Sequence, residues 1–140
     1  MTAGTCTTMG QCLCGKVRYS VEAPLGEVRY CHCRMCRRAT GTAFSANARV
    51  PMERFALLAG AEVVREYEAS PGAVRCFCGE CGSPVFARVA RDPGHVRIRL
   101  GGLDDPAEVE ITAHVWTESK AGWFEIRDDL PRHPQAATDK

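Results

Sequence analysis

Apolar and polar residues alternate one for one along several stretches of the chain. Val17, Tyr19 and Val21 alternate with Lys16, Arg18 and Ser20. In "HVRIRLGG" Val96, Ile98 and Leu100 share one face, and in "EVEITAHVW" Val109, Ile111, Ala113 and Val115 share another. Successive strand side chains point to opposite faces, so this period of two predicts half-buried β-strands. A further strand is predicted in "EVVREYE", from Val63 to Tyr67. Between these stretches lie "APLGE", "ASPGA", "RDPGH" and "GGLDDP", whose proline and glycine residues suit turns. Helical turns are predicted only in "RMCRRAT" and in "VPMERFALL", which Pro51 could open. Many short strands at this spacing predict an all-β domain over residues 10–131, with a polar arm at 1–9 and a frayed tail at 132–140.

A length of 140 residues suits one domain with a modest core. No apolar run approaches the roughly 18 residues that span a bilayer, so no membrane partner is expected. The opening "MTAGTCTTMGQ" has neither the basic nor the apolar region of a secretory signal, which predicts a cytoplasmic protein. A net charge of +1 with acids and bases interspersed leaves no electrostatic footprint for nucleic acid. Small-molecule chemistry is the expectation that remains.

The nine cysteines give that chemistry a form. Cys12 and Cys14, Cys31 and Cys33, and Cys78 and Cys81 are each separated by one or two residues. Neighbours that close rarely reach disulfide geometry with each other, yet they chelate one ion readily. Gly82 follows Cys81 and Gly15 follows Cys14, and glycine accepts the positive φ that curls a chain around a metal. Cys12, Cys14, Cys78 and Cys81 can therefore supply the four thiolates of a structural site. That leaves Cys31, Cys33 and Cys36 in "YCHCRMCRR" with three ligands and an open fourth position, the arrangement of a catalytic ion. Cys76 or the outlying Cys6 could close this second site instead, and spacing leaves both arrangements open.

The order CxCG, CHCxxCR and RxFCxxCGS, followed by "GGLDD" and a late "W…IRDDLP" segment, resembles the glutathione-dependent formaldehyde-activating enzyme family, also called the centromere-protein-V family. The resemblance spans about residues 10 to 131. It implies a fold of strongly curved antiparallel sheets, the β-tent, and two zinc ions per chain. Carried over residue by residue, it implies a structural zinc on Cys12, Cys14, Cys78 and Cys81, and a second zinc with an exchangeable position on Cys31, Cys33 and Cys36. It also implies a carbon–sulfur lyase acting like an S-(hydroxymethyl)glutathione synthase, with a small thiol such as glutathione and formaldehyde or another aldehyde as partners. Cys76 fills a variable position of the pattern and is expected to be a small buried side chain.

Around the open site, Arg34, Arg37 and Arg38 are candidates to receive the carboxylates of glutathione by charge-assisted pairing. His32, between two ligands, is expected to point away from the metal. His114 is expected as a satisfied structural histidine on the face opposite Ile111, Ala113 and Val115, near Trp116. Phe44, Ser45 and Asn47 could wall a cleft or simply follow strand alternation, and Trp123 and Phe124 are expected in the core. Two other functions fit the same cysteines: a non-enzymatic zinc module with structural or interaction roles, and a glutathione carrier.

Overall fold

The computed structural model describes residues 7–104 and 109–137. Ten strands run in chain order as β1 (Thr7–Gln11), β2 (Arg18–Glu22), β3 (Leu25–Cys31), β4 (Ser45–Pro51), β5 (Phe55–Ala59), β6 (Val64–Ser70), β7 (Ala73–Cys78), β8 (Pro84–Val89), β9 (His95–Arg99) and β10 (Val109–Val115). One helix, α1 (Arg34–Thr40), follows β3. The all-β expectation holds. The strands form a three-stranded sheet in the order β1-β2-β5 and a seven-stranded sheet in the order β10-β3-β4-β9-β8-β7-β6.

The core lies where the two sheets face each other. Val17, Tyr19 and Val21 from the small sheet's side cluster with Val28, Ala48, Val50, Val85, Val96 and Ile98 of the large sheet. The alternation that predicted β2 and β9 is the alternation that buries these residues: β2 shows exposed Arg18, buried Tyr19 and buried Val21, and in β9 Val96 and Ile98 are buried. Leu100 leaves the strand and opens a single 3-10 turn, Leu100–Gly102, from which it still packs against the core. In "VPMERFALL" the helical turn shrinks to three residues, Met52–Arg54, and "FALLA" becomes β5. The helical turn expected in "RMCRRAT" is α1 in full.

Three details depart from the sequence reading. The sheets are antiparallel except that β10 pairs parallel to β3 at the edge of the large sheet. A parallel neighbour needs a long crossover, and strand alternation carries no information about direction. The polar arm already contains strand, because β1 begins at Thr7 and pairs Thr7 with Glu22; Cys6 lies outside the described residues. The tail is also built in as far as it is described. Pro131 and His133 bracket His114 by accepting and donating backbone hydrogen bonds at 2.9 Å, and the Trp116 amide donates to the Gln135 carbonyl at 3.0 Å. With that segment laid across it, β10 buries Ala113, His114 and Val115 in succession and loses its alternation at this end.

Candidate metal centres and the arginine-lined cavity

The first cysteine group is assembled by two matching turns. One follows β1 and carries Cys12 and Cys14; the other joins β7 to β8 and carries Cys78 and Cys81. In the first, the Gly15 amide donates to the Cys12 carbonyl at 3.1 Å, and in the second the Gly82 amide donates to the Cys78 carbonyl at 2.8 Å. Both glycines sit in the left-handed region, at φ 82° and 83°, which a residue with a Cβ rarely adopts. The curled backbone aims amides at sulfur: Val17 N–H donates to Cys12 Sγ at 3.3 Å, and Glu80 N–H to Cys78 Sγ at 3.4 Å.

All four sulfurs lie within 4.8 Å of one another. Cys12 Sγ and Cys14 Sγ are 3.6 Å apart, and Cys14 Sγ and Cys78 Sγ 3.8 Å. A tetrahedron with metal–sulfur bonds of about 2.3 Å has edges of about 3.8 Å, so the group fits one ion. These separations are far beyond a disulfide bond of about 2.0 Å, and all eight cysteines among the described residues are free thiols. The hydroxyl and amide of Ser83 and the Cys14 backbone hold the Cys81 thiol down at about 5. The group can hold a metal ion, and with four ligands it leaves no position for a reactant.

The second group sits at the junction of β3 and α1. Cys31 ends the strand, Cys33 caps the helix and Cys36 lies in its first turn, where its amide donates to Cys33 Sγ at 3.3 Å. Their sulfurs also lie within 4.8 Å of one another, so this group too can hold a metal ion. Among the described residues no fourth cysteine, imidazole or carboxylate joins it. Cys76 points elsewhere: it is buried on β7, accepts from Arg88 Nη1 at 3.3 Å, and has its thiol pushed up by burial. Within the triad, hydrogen bonds from Cys31 and Cys33, then from Ser45 and Arg75, hold Cys36 far below the ordinary thiol value. Cys31 is pushed correspondingly up by Cys33 and Cys36.

This triad forms part of the wall of a cavity of about 510 Å³. Arg34, Arg75, Arg88, Arg91, Arg97 and Arg99 line it, with Val74 and Ala87 as apolar wall and Trp116 beside them. Trp116 holds a left-handed backbone at φ 58° and ψ 39°, an uncommon conformation for a bulky residue. Arg75 Nη2 reaches Cys36 Sγ at 3.6 Å. Arg99 Nη1 donates to Asn47 Oδ1 at 2.6 Å, and Asn47 Nδ2 donates to Ser45 Oγ at 2.9 Å. A polar line thus runs from Arg99 through Asn47 and Ser45 to Cys36. Of the arginines singled out in the sequence, Arg34 lines this cavity. Arg37 donates to the Ser119 carbonyl at 2.8 Å and, with Arg38, Arg34 and Trp123, lines a separate recess.

Arg75, Arg88, Arg91, Arg97 and Arg99 escaped the sequence reading, which sought cations next to the knuckle along the chain. The available signal was the alternating set Arg97 and Arg99 on β9, opposite the buried Val96 and Ile98.

The two histidines form a buried pair behind the triad. His32 Nε2 lies 2.8 Å from His114 Nδ1, and His114 Nε2 lies 3.0 Å from Asp128 Oδ2. The hydrogen bond from His114 holds the Asp128 carboxyl below its ordinary range, so this carboxylate accepts. A singly protonated His114 then donates through Nε2 and accepts at Nδ1 from His32 Nε2–H. His32 is fully buried against Phe44 and Phe124, with ring centroids at 5.1 and 6.1 Å. Burial, and then the nearby His114, Lys120 and Arg37, push it down to about 4. His32 therefore points away from the metal group, and His114 is the satisfied structural histidine expected rather than a wall of the cavity. Trp123, expected in the core, is 72% exposed.

No helix among the described residues is long and apolar enough to cross a membrane. A crystal structure of a Rhodobacter sphaeroides protein is similar to this chain, at 26% identity and a TM-score of 0.60, over 74% of this chain and 99% of that one. The family model described as glutathione-dependent formaldehyde-activating enzyme matches residues 7–119, a span that takes in both cysteine groups. The chain belongs to that family.

Proposed function

We propose that this chain is a zinc-dependent carbon–sulfur lyase that joins a small thiol to an aldehyde, as glutathione and formaldehyde would be joined, with Cys31, Cys33 and Cys36 as its catalytic metal ligands. The observation that carries this reading is the convergence of three thiol sulfurs on the wall of an arginine-lined cavity, with no fourth ligand among the described residues. A zinc ion held there would lower the pKa of an incoming thiol from its ordinary value of about 8.5 and give its sulfur a fixed position.

The chain's own residues supply the remaining requirements. Arg75 and Ser45 help to stabilise the ionised Cys36, one of the three ligands. Arg34 and Arg99 stand where ligand carboxylates would enter. Arg37 and Arg38 follow Arg34 on α1 at helical spacings of three and four, so they add positive potential on the same side. Val74 and Ala87 exclude water from the apolar wall. The addition forms one carbon–sulfur bond, moves the carbonyl π pair onto oxygen and transfers the thiol proton to that oxygen. No electrons are exchanged with an outside carrier.

Cobalt substitution tests the reading. Two thiolate-rich sites are expected, of which only the three-cysteine one changes its absorption when glutathione is added. Exchange spectroscopy on labelled formaldehyde then separates catalysis from carriage: an adduct-forming rate no faster than the spontaneous one would make the protein a carrier. A cobalt spectrum indifferent to every thiol would overturn the open-site reading itself.

A further inference from the structure

The cavity at the triad holds more positive charge than its metal site and its own acids can neutralise. Two of its six arginines have carboxylate partners. Arg88 Nη2 lies 2.9 Å from Glu66 Oε2, and Arg97 Nη1 lies 3.0 Å from Asp92 Oδ2. Among the described residues no ion pair engages Arg34, Arg75, Arg91 or Arg99. No aspartate or glutamate lines the cavity. Arg75 and Arg99 are half-buried in it, and Arg75 Nη1 is a buried donor with no hydrogen-bond partner. Arg34 and Arg91 are exposed at its rim. A guanidinium stays protonated throughout the accessible range, so this charge is fixed.

Counting charges decides what fits. Three thiolates around a divalent ion leave one net negative charge, which offsets one of the four guanidiniums that have no carboxylate partner. An incoming thiolate offsets a second. Two positive charges remain, and the pairing is strongest at the half-buried Arg75 and Arg99. Glutathione brings two carboxylates but also an ammonium, and the lining offers that ammonium no carboxylate. The neutral oxygens of Ser70, Ser119 and Asn47 and the indole face of Trp116 are what the lining offers instead, none of them carrying a charge to set against four guanidiniums.

Resting on the reading of an open thiol-binding site, we infer that the cavity's preferred co-substrate is a small thiol with at least two anionic groups and no free ammonium. Its anionic groups pair with the inner arginines, Arg75 and Arg99, and with Arg34 or Arg91 at the rim. Planar guanidiniums receive carboxylate and phosphate oxygens alike in bidentate fashion, so the shared chemistry is two anionic oxygen groups. The Arg75 nitrogen that finds no protein partner is the donor such a group would satisfy.

The test uses the full chain with cobalt in its metal sites and follows the sulfur-to-cobalt absorption during titration with four thiols. Glutathione and N-acetylglutathione share a skeleton and differ by the ammonium charge. Mercaptosuccinate carries two carboxylates and no ammonium, and 2-mercaptoethanol carries no charge. N-acetylglutathione is expected to bind roughly tenfold more tightly than glutathione, and mercaptosuccinate more tightly than 2-mercaptoethanol by at least as much. Inorganic phosphate added beforehand reports the source: competition against mercaptosuccinate at millimolar phosphate supports a phosphate-bearing thiol, and its absence supports a polycarboxylate. Arg91→Gln, at the exposed rim, should narrow the N-acetylglutathione preference by about threefold while cobalt content stays at two ions. Equal binding of glutathione and its N-acetyl form would overturn the inference and leave the open site intact. No response to any of the four thiols would overturn the open site, and the inference with it.

Discussion

His32 Nε2 and His114 Nδ1 lie 2.8 Å apart, and this contact ties the short loop holding Cys31 and Cys33 to the last strand of the large sheet. The His32 amide donates to the Val115 carbonyl at 3.0 Å, so backbone and side chain are fastened to the same strand. Asp128 fastens the far ring. Three segments distant in sequence therefore fix the position of a metal group to which only one of them contributes ligands.

His114→Phe keeps an aromatic ring in the space but removes the acceptor for His32. A buried donor left unpaired costs about 1–3 kcal/mol, so denaturant unfolding should show a loss of that size. A chelator should strip the three-cysteine site faster than in the parent, with the four-cysteine site unchanged. Asp128→Asn retains an oxygen that can accept from His114 and should cost no more than about 1 kcal/mol. Equal effects of the two variants would show that the ring pair does not position the loop.

Metal content separates the roles of the cysteines. The parent should bind two ions per chain. Cys81→Ser should lose one and lower the melting temperature sharply, because the four-thiolate group staples the turn after β1 to the turn between β7 and β8. Cys36→Ser should also lose one, with a smaller change in melting temperature, since its group joins only β3 to α1 rather than two sheets. Cys76→Ala should lose none. Elemental analysis with a thermal melt reads all three, and loss of an ion in Cys76→Ala would make Cys76 a ligand.

Asp92 sits in the turn between β8 and β9 with two arginines and a histidine against its carboxylate. Arg49 Nε approaches Oδ2 at 2.8 Å, Arg97 Nη1 approaches it at 3.0 Å, and His95 Nδ1 approaches Oδ1 at 3.1 Å. The hydrogen bond from Arg49, with Arg97 behind it, holds this carboxyl well below the ordinary range. A depressed folded value means that the stabilisation is complete above the ordinary carboxylate range and fades as pH falls toward the folded value. Asp92→Asn should therefore cost about 1–3 kcal/mol at pH 7, and the gap to the parent should shrink as urea unfolding is repeated at lower pH. A constant gap from pH 7 to pH 3 would assign the loss to packing.

The sequence made the metal chemistry legible because chelation by short turns is local: Cys12 with Cys14, and Cys78 with Cys81, are paired by one or two residues and a following glycine. β2, β9 and β10 were legible because one face of each is buried over most of its length. β3 was not, since Gly26 and Glu27 interrupt its alternation, and β5 was not, since "FALLA" is apolar yet half-exposed. The cavity was hidden for a different reason. Arg75, Arg88 and Arg99 come from three adjacent strands of one sheet, and strand order is a long-range property that no local spacing records. The partnership of His32 with His114 was hidden in the same way, by a parallel pairing of β3 with β10.

Gly60 offers a last test, of how tightly the small sheet is fitted to the first metal turn. It holds φ 88°, and a Cβ there would strike the Lys16 carbonyl oxygen and lie 2.7 Å from Val17 Cα. Lys16 and Val17 follow the Cys12–Cys14 turn directly, and the Val17 amide is a donor to Cys12 Sγ. Gly41 provides the control, because it also has a positive φ, 70°, but a Cβ there meets open space. Gly41→Ala should cost only the left-handed strain of about 1–2 kcal/mol. Gly60→Ala adds displacement of a neighbouring backbone and should cost about 2–3 kcal/mol or more, with weakened metal retention at the four-cysteine group alone. Chemical unfolding of the two variants, paired with chelator release, checks this. Similar losses in both would mean that the backbone at Lys16 yields easily and that the metal turn does not depend on its fit against Gly60.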